Sequence, residues 1–438
     1  MVAGFAVLPK SPRFALTNAT IPAVLLNHPP STPDRDGLVR ADILIRDGRV
    51  ERVSAAGSES DFPSLDLARG MVWPAFVDMH THIDKGHIWP RKPNPDGTFI
   101  SALLAVDEDR SGRWTAEDVR RRMDFSLRCA YAHGTALLRS HIDSVSPQHR
   151  ISWPVMAEMR EKWAGRIDLQ AVSIFPISQF LDTAFAADLV DVVADHNGVL
   201  GAVTFMMPEL DHALDLFMRA AASRGLDLDF HVDESADPEA RSLRAIAEAA
   251  IRNAFPGRIV AGHCCSLARQ PEADADATMD RVAEAGIAVV SLPMCNLYLQ
   301  DREPGRTPRW RGVTLLHEMR ARGIPVAVAS DNTRDPFYAY GDLDMVEVFR
   351  EAVRLIHLDH PIGNWPGAIS RSAAEIIGRK DCGVIAPGIP ADLVLFRART
   401  WTEFLARPQS DRSVLRSGVA IDRTLPDYGE LDDLMGPN

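Results

Sequence analysis

The sequence predicts an α/β protein: a TIM-like (β/α)₈ barrel with a small β-sandwich domain built from both termini. Eight short apolar runs alternate with amphipathic, helix-like stretches between residues 71 and 385, as in a parallel sheet joined by crossover helices. Further strand-like segments lie before residue 70 and after residue 386, outside this alternation. The two patterns therefore indicate a barrel flanked by a second β-structure.

The eight predicted strands are short, and each is followed by a loop or a helical stretch. They cover residues 71–80, 135–141, 168–175, 199–206, 226–231, 258–263, 287–293 and 325–331, and the clearest helices cover 116–132, 181–194, 238–253 and 313–321. Eight such units favour a closed barrel. An open doubly wound sheet is the alternative, but no glycine-rich phosphate turn follows any early strand.

The termini predict the second domain. Segments 14–26 and 41–53 have strand character, the latter around an Asp47-Gly48 turn, and so do segments 391–396 and 414–421. We therefore expect residues 1–70 and 386–438 to form the composite β-sandwich and residues 71–385 to form the catalytic barrel. The tail after Asp422 is acidic and contains proline, and it either trails or docks.

Composition excludes several classes of partner. The net charge is −12 and no stripe of Lys and Arg is present, which argues against nucleic acid and anionic membranes. No apolar run approaches the roughly 18 residues of a membrane span. The five cysteines show no C-x-x-C spacing of a zinc knuckle or redox pair. We expect a cytoplasmic enzyme with a small-molecule substrate.

The histidine pair His80 and His82 ends the first predicted strand. Residues two apart on a strand point to the same side, so both imidazoles can bind one cation. With 14 histidines in the chain, such a pair alone is close to a chance occurrence. His231, His263 and Asp331, however, also end predicted strands, where the loops of a barrel build its active site. Together these strand ends predict a metal centre.

The chain resembles the amidohydrolase superfamily, and within it the cytosine deaminase-like branch, over nearly its whole length. The resemblance rests on a set of short motifs: PAFVDMHTHID at 74–84, RSHID at 139–143, FHVDE at 230–234, GH at 262–263, ASDN at 329–332, DPFY at 335–338 and GIPADLVL at 388–395.

This resemblance implies one divalent metal ion, Zn²⁺ or Fe²⁺, and a homo-oligomer. The implied ligands are His80, His82, His231 and Asp331, and the metal lowers the pKa of a bound water to about 7. Asp331 would also accept a proton from that water, and His263 would hydrogen-bond to the hydroxide or the developing oxyanion. Glu234 would carry a proton to a ring nitrogen and help ammonia leave.

The metal count follows from the fourth predicted strand. Segment 201–209 contains no lysine, so the carbamylated lysine that bridges two metals in binuclear relatives has no candidate there. Glu209 could bridge two metals in principle. The simpler interpretation is that its carboxylate stabilises the N-terminus of a helix.

Two departures from the cytosine-specific pattern bear on the substrate. Ile177 stands after Phe-Pro where those enzymes carry glutamine, and Asn332 stands after Asp331 where they carry aspartate. Gln179, two residues after Ile177, either enters the pocket or starts a helix. Lys85 and Asn332 are instead shared with triazine-ring hydrolases of the branch.

The predicted function is metal-dependent hydrolytic deamination of a small nitrogen heterocycle, cytosine-like or triazine-like. Alternatives are a cyclic amide hydrolase that opens a ring and a catalytically inactive ligand-binding relative. The predicted substrate-binding residues are Lys85, His141, Ile177, Gln179, Asn332 and Phe337.

Overall fold

A computed structural model describes residues 4–59 and 61–436 of the chain. These residues divide into two compact units. The first contains the residues up to Asp78 together with Arg128–Leu137 and Leu343–Pro426. The second contains Met79–Leu127, Leu138–Asp342 and the residues from Asp427 onward.

The strands of the described residues are β1 (Arg13–Pro22), β2 (Leu38–Arg46), β3 (Arg49–Ala55), β4 (Ser64–Asp66), β5 (Val72–Pro74), β6 (Phe76–Thr81), β7 (Thr135–Asp143), β8 (Asp168–Ile174), β9 (Leu200–Thr204), β10 (Leu228–Val232), β11 (Ile259–His263), β12 (Ala288–Ser291), β13 (Val326–Val328), β14 (Leu393–Leu395), β15 (Ser413–Arg416) and β16 (Val419–Ala420).

The α-helices in the same part of the chain are α1 (Phe99–Arg113), α2 (Ala116–His133), α3 (His149–Trp163), α4 (Thr183–Asp195), α5 (Leu210–Arg224), α6 (Ser242–Arg252), α7 (Glu272–Glu284), α8 (Pro293–Leu299), α9 (Leu316–Ala321), α10 (Met345–Ile356), α11 (Arg371–Ile376), α12 (Trp401–Ala406) and α13 (Asp432–Met435). No helix among residues 4–59 and 61–436 is both long enough and apolar enough to cross a membrane.

Each of the eight segments predicted as barrel strands overlaps one of the strands β6 to β13. A five-stranded parallel sheet has the order β13-β12-β11-β10-β9, and a three-stranded sheet has the order β6-β7-β8. Isolated parallel bridges link the two sheets at both edges. Thr81 pairs with Asp331 at one edge, and Val172 pairs with Val199 at the other. The α/β class with parallel sheets is therefore confirmed.

The first predicted barrel strand, 71–80, is wrong as a single element. Residues Val72–Pro74 form β5, which pairs antiparallel with β14, and the barrel-type strand β6 begins only at Phe76. At the break, the Ala75 N–H donates to the carbonyl oxygen of Asp392. Both halves are buried on every residue, so the hydrophobic pattern contains no sign of the change of sheet.

The first unit contains two four-stranded sheets, with orders β3-β2-β1-β4 and β16-β15-β14-β5. Buried apolar residues from both ends of the chain share one core, among them Leu16 and Ile43 from the N-terminal strands and Leu393 and Leu415 from the C-terminal strands. The predicted strand 414–421 is instead a hairpin of β15 and β16, which turns at Ser417-Gly418.

Residues 427–436 of the acidic tail dock within the second unit. Arg121 on α2 donates to the Asp433 carboxylate and to the Glu430 carbonyl oxygen. Asp427 and Glu430 form a capping box at the start of the 3₁₀ helix Tyr428–Leu431. Residues 427–436 are therefore part of the unit that also contains the predicted metal ligands.

Candidate metal centre and active site

Three imidazoles converge at the C-terminal ends of β6 and β10. The Nε2 atom of His231 lies 3.1 Å from Nε2 of His80 and 3.2 Å from Nε2 of His82. His80 belongs to β6, His82 is the first residue after β6, and His231 belongs to β10. The alternation of side chains along β6 places His80 and His82 on one side, as their spacing predicts.

Asp331 completes this group from the loop after β13. Its carboxylate Oδ1 lies 3.2 Å from Nε2 of His82 and 3.7 Å from Nε2 of His80. The Asp331 N–H donates to the carbonyl oxygen of His80 at 2.9 Å, and the Thr81 hydroxyl donates to the Asp331 carbonyl oxygen at 2.8 Å. With a left-handed φ of 65°, Asp331 occupies a conformation that non-glycine residues rarely adopt.

The chemistry of this donor set fits a divalent cation. Burial is the main cause that holds the pKa of His80, His82 and His231 well below the ordinary value, so the rings are neutral. Neutral imidazoles are the form that binds zinc or iron. The His231 Nε2 atom lies 3.1–3.2 Å from Nε2 of His80 and of His82, close enough for one ion to be bound by all three rings.

The outer nitrogen atoms of the three rings point away from this centre. The Nδ1 atoms of His80, His82 and His231 are buried and make no hydrogen bond with the part of the chain that the structure describes.

His141 of β7 packs on His80 with ring centroids 3.9 Å apart, and its Nε2 lies 3.4 Å from the Asp229 carboxylate. Arg139 in turn donates to Asp229 at 2.9 Å.

Glu234 and His263 lie together beside the four predicted ligands. Oε1 of Glu234 is 3.3 Å from Nδ1 of His263, and the Glu234 side chain is only 11% exposed. Burial and the neighbouring Asp331 carboxylate raise the pKa of Glu234 well above its ordinary value. Burial lowers the pKa of His263 to about 3, so its imidazole is neutral.

The loop that contains Glu234 is tied to α6 by Asp233. The Asp233 carboxylate accepts hydrogen bonds from the N–H groups of Ser242 and Leu243, both at 2.9 Å, and from the Ser242 hydroxyl at 2.6 Å. These are the unpaired N–H groups of the first helical turn. Because Asp233 caps α6 from the end of β10, the adjacent Glu234 is anchored next to His231.

Lys85 is buried in a group of carboxylates. Its ammonium lies 3.4 Å from Asp143 and 5.4 Å from the centroid of the Phe337 ring. Burial lowers the pKa of Lys85, but the carboxylates of Asp143, Asp84 and Asp335 raise it by more, so the amine stays protonated. Burial is also the main cause that raises the pKa of Asp84 to about 7.

Asn332 and Phe337 lie in the loop after β13. The Asn332 amide donates to Asp335 at 2.8 Å, and Asp335 accepts from the Phe337 N–H at 2.8 Å. Cys295 Sγ is 3.6 Å from the Asn332 side-chain oxygen. Lys85, Asn332 and Phe337 are thus brought into one cluster around Asp335.

Ile177 and Gln179 lie in the 3₁₀ helix Ile177–Leu181 after β8. Ile177 is fully buried and Gln179 is exposed. The contacts described for these two residues do not bring either to the histidines, so their predicted substrate role stays a prediction. Glu209 is an exposed residue at the N-cap of α5.

Several residues of the site were not expected from the sequence. Asn296 and Cys295 lie at the start of α8, directly after β12, and Asn296 contacts both Glu234 and His263. The predicted strand 287–293 ends just before them, so the rule that polar residues after strand ends face the site would have found them. Asp229 could not be found in this way, because it lies inside β10.

Comparisons with known proteins identify the family of the chain. A sequence profile of the amidohydrolase family matches residues 139–422. The pterin deaminase of Rhizobium rhizogenes is 60% identical over 429 residues, which cover 98% of each chain. The N-isopropylammelide isopropyl amidohydrolase of Pseudomonas sp. strain ADP is 25% identical, over 82% of this chain and 87% of that protein.

Among solved structures, 5-methylcytosine deaminase from Klebsiella pneumoniae shares the fold. Its TM-score is 0.78 at 21% identity, and the match covers 95% of this chain and 98% of that one. The profile covers well over half of the chain, and the 60% identity extends over almost all of it. The chain therefore belongs to the amidohydrolase family and is a hydrolase that acts on carbon–nitrogen bonds.

Proposed function

We propose that this protein is a metal-dependent hydrolytic deaminase of a pterin, a bicyclic aminoheterocycle. The observation that supports the reaction is the buried Glu234, whose pKa is raised, 3.3 Å from His263 and beside Asp331. The observation that supports the substrate is 60% identity with a pterin deaminase over 98% of both chains. Cytosine-like and triazine-like rings, which the motifs predict, have no comparable support.

The proposed reaction replaces the ring amino group by a carbonyl group. Water adds to the amidine-type carbon and the carbon–nitrogen bond breaks. Of the two protons of the water, one ends on the ring nitrogen and the other leaves with the amino group as ammonia. When bound by His80, His82, His231 and Asp331, one Zn²⁺ or Fe²⁺ ion would supply Lewis-acid activation of the attacking water.

The residues of this chain would move the protons. Asp331 accepts the first proton from the attacking water, and Glu234 delivers protons to the ring nitrogen and the departing amine. A carboxyl group needs a raised pKa for this role near neutral pH, and burial of Glu234 supplies it. His263 donates to the oxygen that develops negative charge. Lys85, Asn332 and Phe337, which the structure brings together, are proposed to contact the ring, and His141, Ile177 and Gln179 stay predicted contacts.

The experiment measures ammonia release and metal content together. Zinc- or iron-loaded protein is assayed with pterin, cytosine and an aminotriazine, and the variants are His231→Ala, Glu234→Gln and the control Glu209→Gln. We expect the wild type to release ammonia from pterin and to bind one metal ion per chain. His231→Ala should lose both the activity and the metal, whereas Glu234→Gln should lose the activity but keep the metal. The exposed Glu209 should tolerate its change.

Three results would contradict the proposal. Full activity of metal-free protein would exclude the metal-dependent reaction. Ring opening without ammonia, with activity unaffected by Glu234→Gln, would favour a cyclic amide hydrolase. Bound metal without turnover of any ring would favour a ligand-binding relative.

We also propose an organisation for the enzyme. Strands β6 to β13 close into one (β/α)₈ barrel, because bridges at Thr81–Asp331 and Val172–Val199 join the two parallel sheets at both edges. The sheets of the first unit form a β-sandwich around the core shared by both ends of the chain. The domain bounds, a cytoplasmic location and a homo-oligomer stay predictions.

A further inference from the structure

Asn296 connects the two proton-handling residues of the site. Its side-chain nitrogen Nδ2 lies 3.1 Å from Oε1 of Glu234 and 2.9 Å from Nδ1 of His263. Asn296 is completely buried, on the short helix α8 that follows β12. The amide therefore has a fixed position between a carboxylate and an imidazole.

The structure gives the orientation of this amide directly. Its NH₂ nitrogen, and not its oxygen, lies next to Glu234, and Oε1 of Glu234 accepts a hydrogen bond from it. An NH₂ group has two hydrogen atoms, and the same nitrogen is 2.9 Å from His263. One hydrogen bonds to Glu234 and the other bonds to Nδ1 of His263, which accepts it.

This contact determines where His263 holds its proton. A neutral imidazole has one N–H, so a ring whose Nδ1 accepts a hydrogen bond has its proton on Nε2. The Nε2 atom of His263 is buried and makes no hydrogen bond to the described residues. A ring nitrogen of His263 also lies within 4.8 Å of the donor atoms of His80, His231 and Asp331. Nδ1 lies 2.9 Å from the Asn296 NH₂ group, closer than the 3.3 Å to Oε1 of Glu234, so Nε2–H is the group available to the reacting oxygen.

We infer that Asn296 is a positioning residue that keeps His263 in its Nε2–H tautomer, as a hydrogen-bond donor to the reacting oxygen, while it orients Glu234. The inference rests on the proposed function for its catalytic consequence, whereas the tautomer is measured by itself, without substrate. In the other tautomer, Nε2 would present a lone pair to a developing negative charge and would repel it.

The matched control is Gln300, whose side chain donates to the backbone carbonyl oxygen of Glu234 at 3.1 Å. Gln300→Met removes a hydrogen bond to the same glutamate, while the contact between Asn296 and His263 is kept. Asn296→Asp keeps the shape of the side chain, but its carboxylate accepts the proton of Nδ1 and so favours the opposite tautomer. Asn296→Ala removes the contact altogether.

The experiment combines ¹⁵N-histidine NMR with steady-state kinetics. His263 is identified by the loss of its signals in His263→Asn, and its Nδ1 and Nε2 protonation is read in metal-free and zinc-loaded protein. We expect wild type and Gln300→Met to hold the proton on Nε2, Asn296→Asp to hold it on Nδ1, and Asn296→Ala to show a mixture. Thermal unfolding and zinc content confirm that each variant is folded and loaded.

In the kinetic measurement, Asn296→Asp and Asn296→Ala should lower kcat by about 10²–10³, the cost of losing one donor to a developing oxyanion. KM should change less than about threefold, because the lost interaction is made in the transition state. A wild-type His263 protonated on Nδ1, or an unchanged tautomer in Asn296→Asp, would overturn the inference even if no pterin is turned over. An altered tautomer with undiminished kcat would overturn its catalytic part, whereas a wild type without ammonia release counts against the proposed function alone.

Discussion

Gly262 provides a direct test of the predicted metal centre, because the space next to it is filled by His80. A Cβ atom at position 262 would lie 2.9 Å from Cε1 and 3.2 Å from Nδ1 of His80. Favourable contacts between carbon atoms begin near about 3.5 Å, so Gly262→Ala must displace the ring by roughly half an ångström. His80 is completely buried and packs against the tilted ring of His141 with centroids 3.9 Å apart, which leaves it little room to withdraw.

The expected cost follows from this displacement. Disturbing the orientation of one metal ligand typically costs about 10–100-fold in metal affinity, which corresponds to about 1.4–2.7 kcal/mol. Overpacking of a buried site costs a similar amount of about 1–3 kcal/mol in the free energy of unfolding. We therefore expect Gly262→Ala to fold, to bind zinc about 10–100-fold more weakly, and to lose activity that excess zinc partly restores.

The assay is a zinc titration in competition with a chromophoric chelator, followed by ammonia release at several zinc concentrations. Gly112→Ala is the control, since Gly112 lies in α1 and an added Cβ meets nothing within 4 Å. That change should raise the free energy of unfolding by about 0.5–1 kcal/mol and leave zinc affinity unaltered. Wild-type zinc affinity in Gly262→Ala would refute the assignment of His80 as a ligand held in place by β11.

Two further predictions concern stability. Arg412, which is 1% exposed, donates two hydrogen bonds of 2.6 Å to Asp344, so Asp344→Asn should lower the free energy of unfolding by about 3–5 kcal/mol in urea at pH 7. Burial raises the pKa of Asp344, but the charges of Arg412 and His133 lower it by more and hold it well below its ordinary value. The stabilisation is therefore complete above the unfolded pKa of about 3.9 and is lost progressively as the pH falls from there through the lower folded pKa. If wild type and Asp344→Asn differed in free energy of unfolding by the same amount at pH 7 and at pH 3, this reasoning would be contradicted. Removal of metal by a chelator should lower the melting temperature. Zinc at 100 times its Kd should restore about 2.7 kcal/mol of the free energy of unfolding in wild type but not in His231→Ala. Equal stabilisation of both proteins would mean that the ion binds elsewhere.

Much of the candidate site could be predicted from local patterns. His80 and His82 share one side because strand geometry alternates side chains, and this depends only on their spacing. His231, His263 and Asp331 could be placed near them because parallel strands present their carboxyl ends at one edge. Both arguments need only the strand assignments, which follow from short apolar runs.

Other features depend on contacts between distant parts of the chain. The break at Ala75 depends on pairing of β5 with β14, which lies more than 300 residues later. Lys85 with Asp143, and Asn296 with both Glu234 and His263, meet only after the loops have packed.

The sequence by itself therefore determined the α/β class and predicted the barrel-type strands and the candidate metal ligands, because periodicity and spacing are local properties of the chain. Only the tertiary structure decided which residues surround them, because distances between side chains on different strands and loops depend on packing that no local pattern encodes. The tautomer that we infer for His263 is an example, since it follows from one buried amide that lies 33 residues further along the chain.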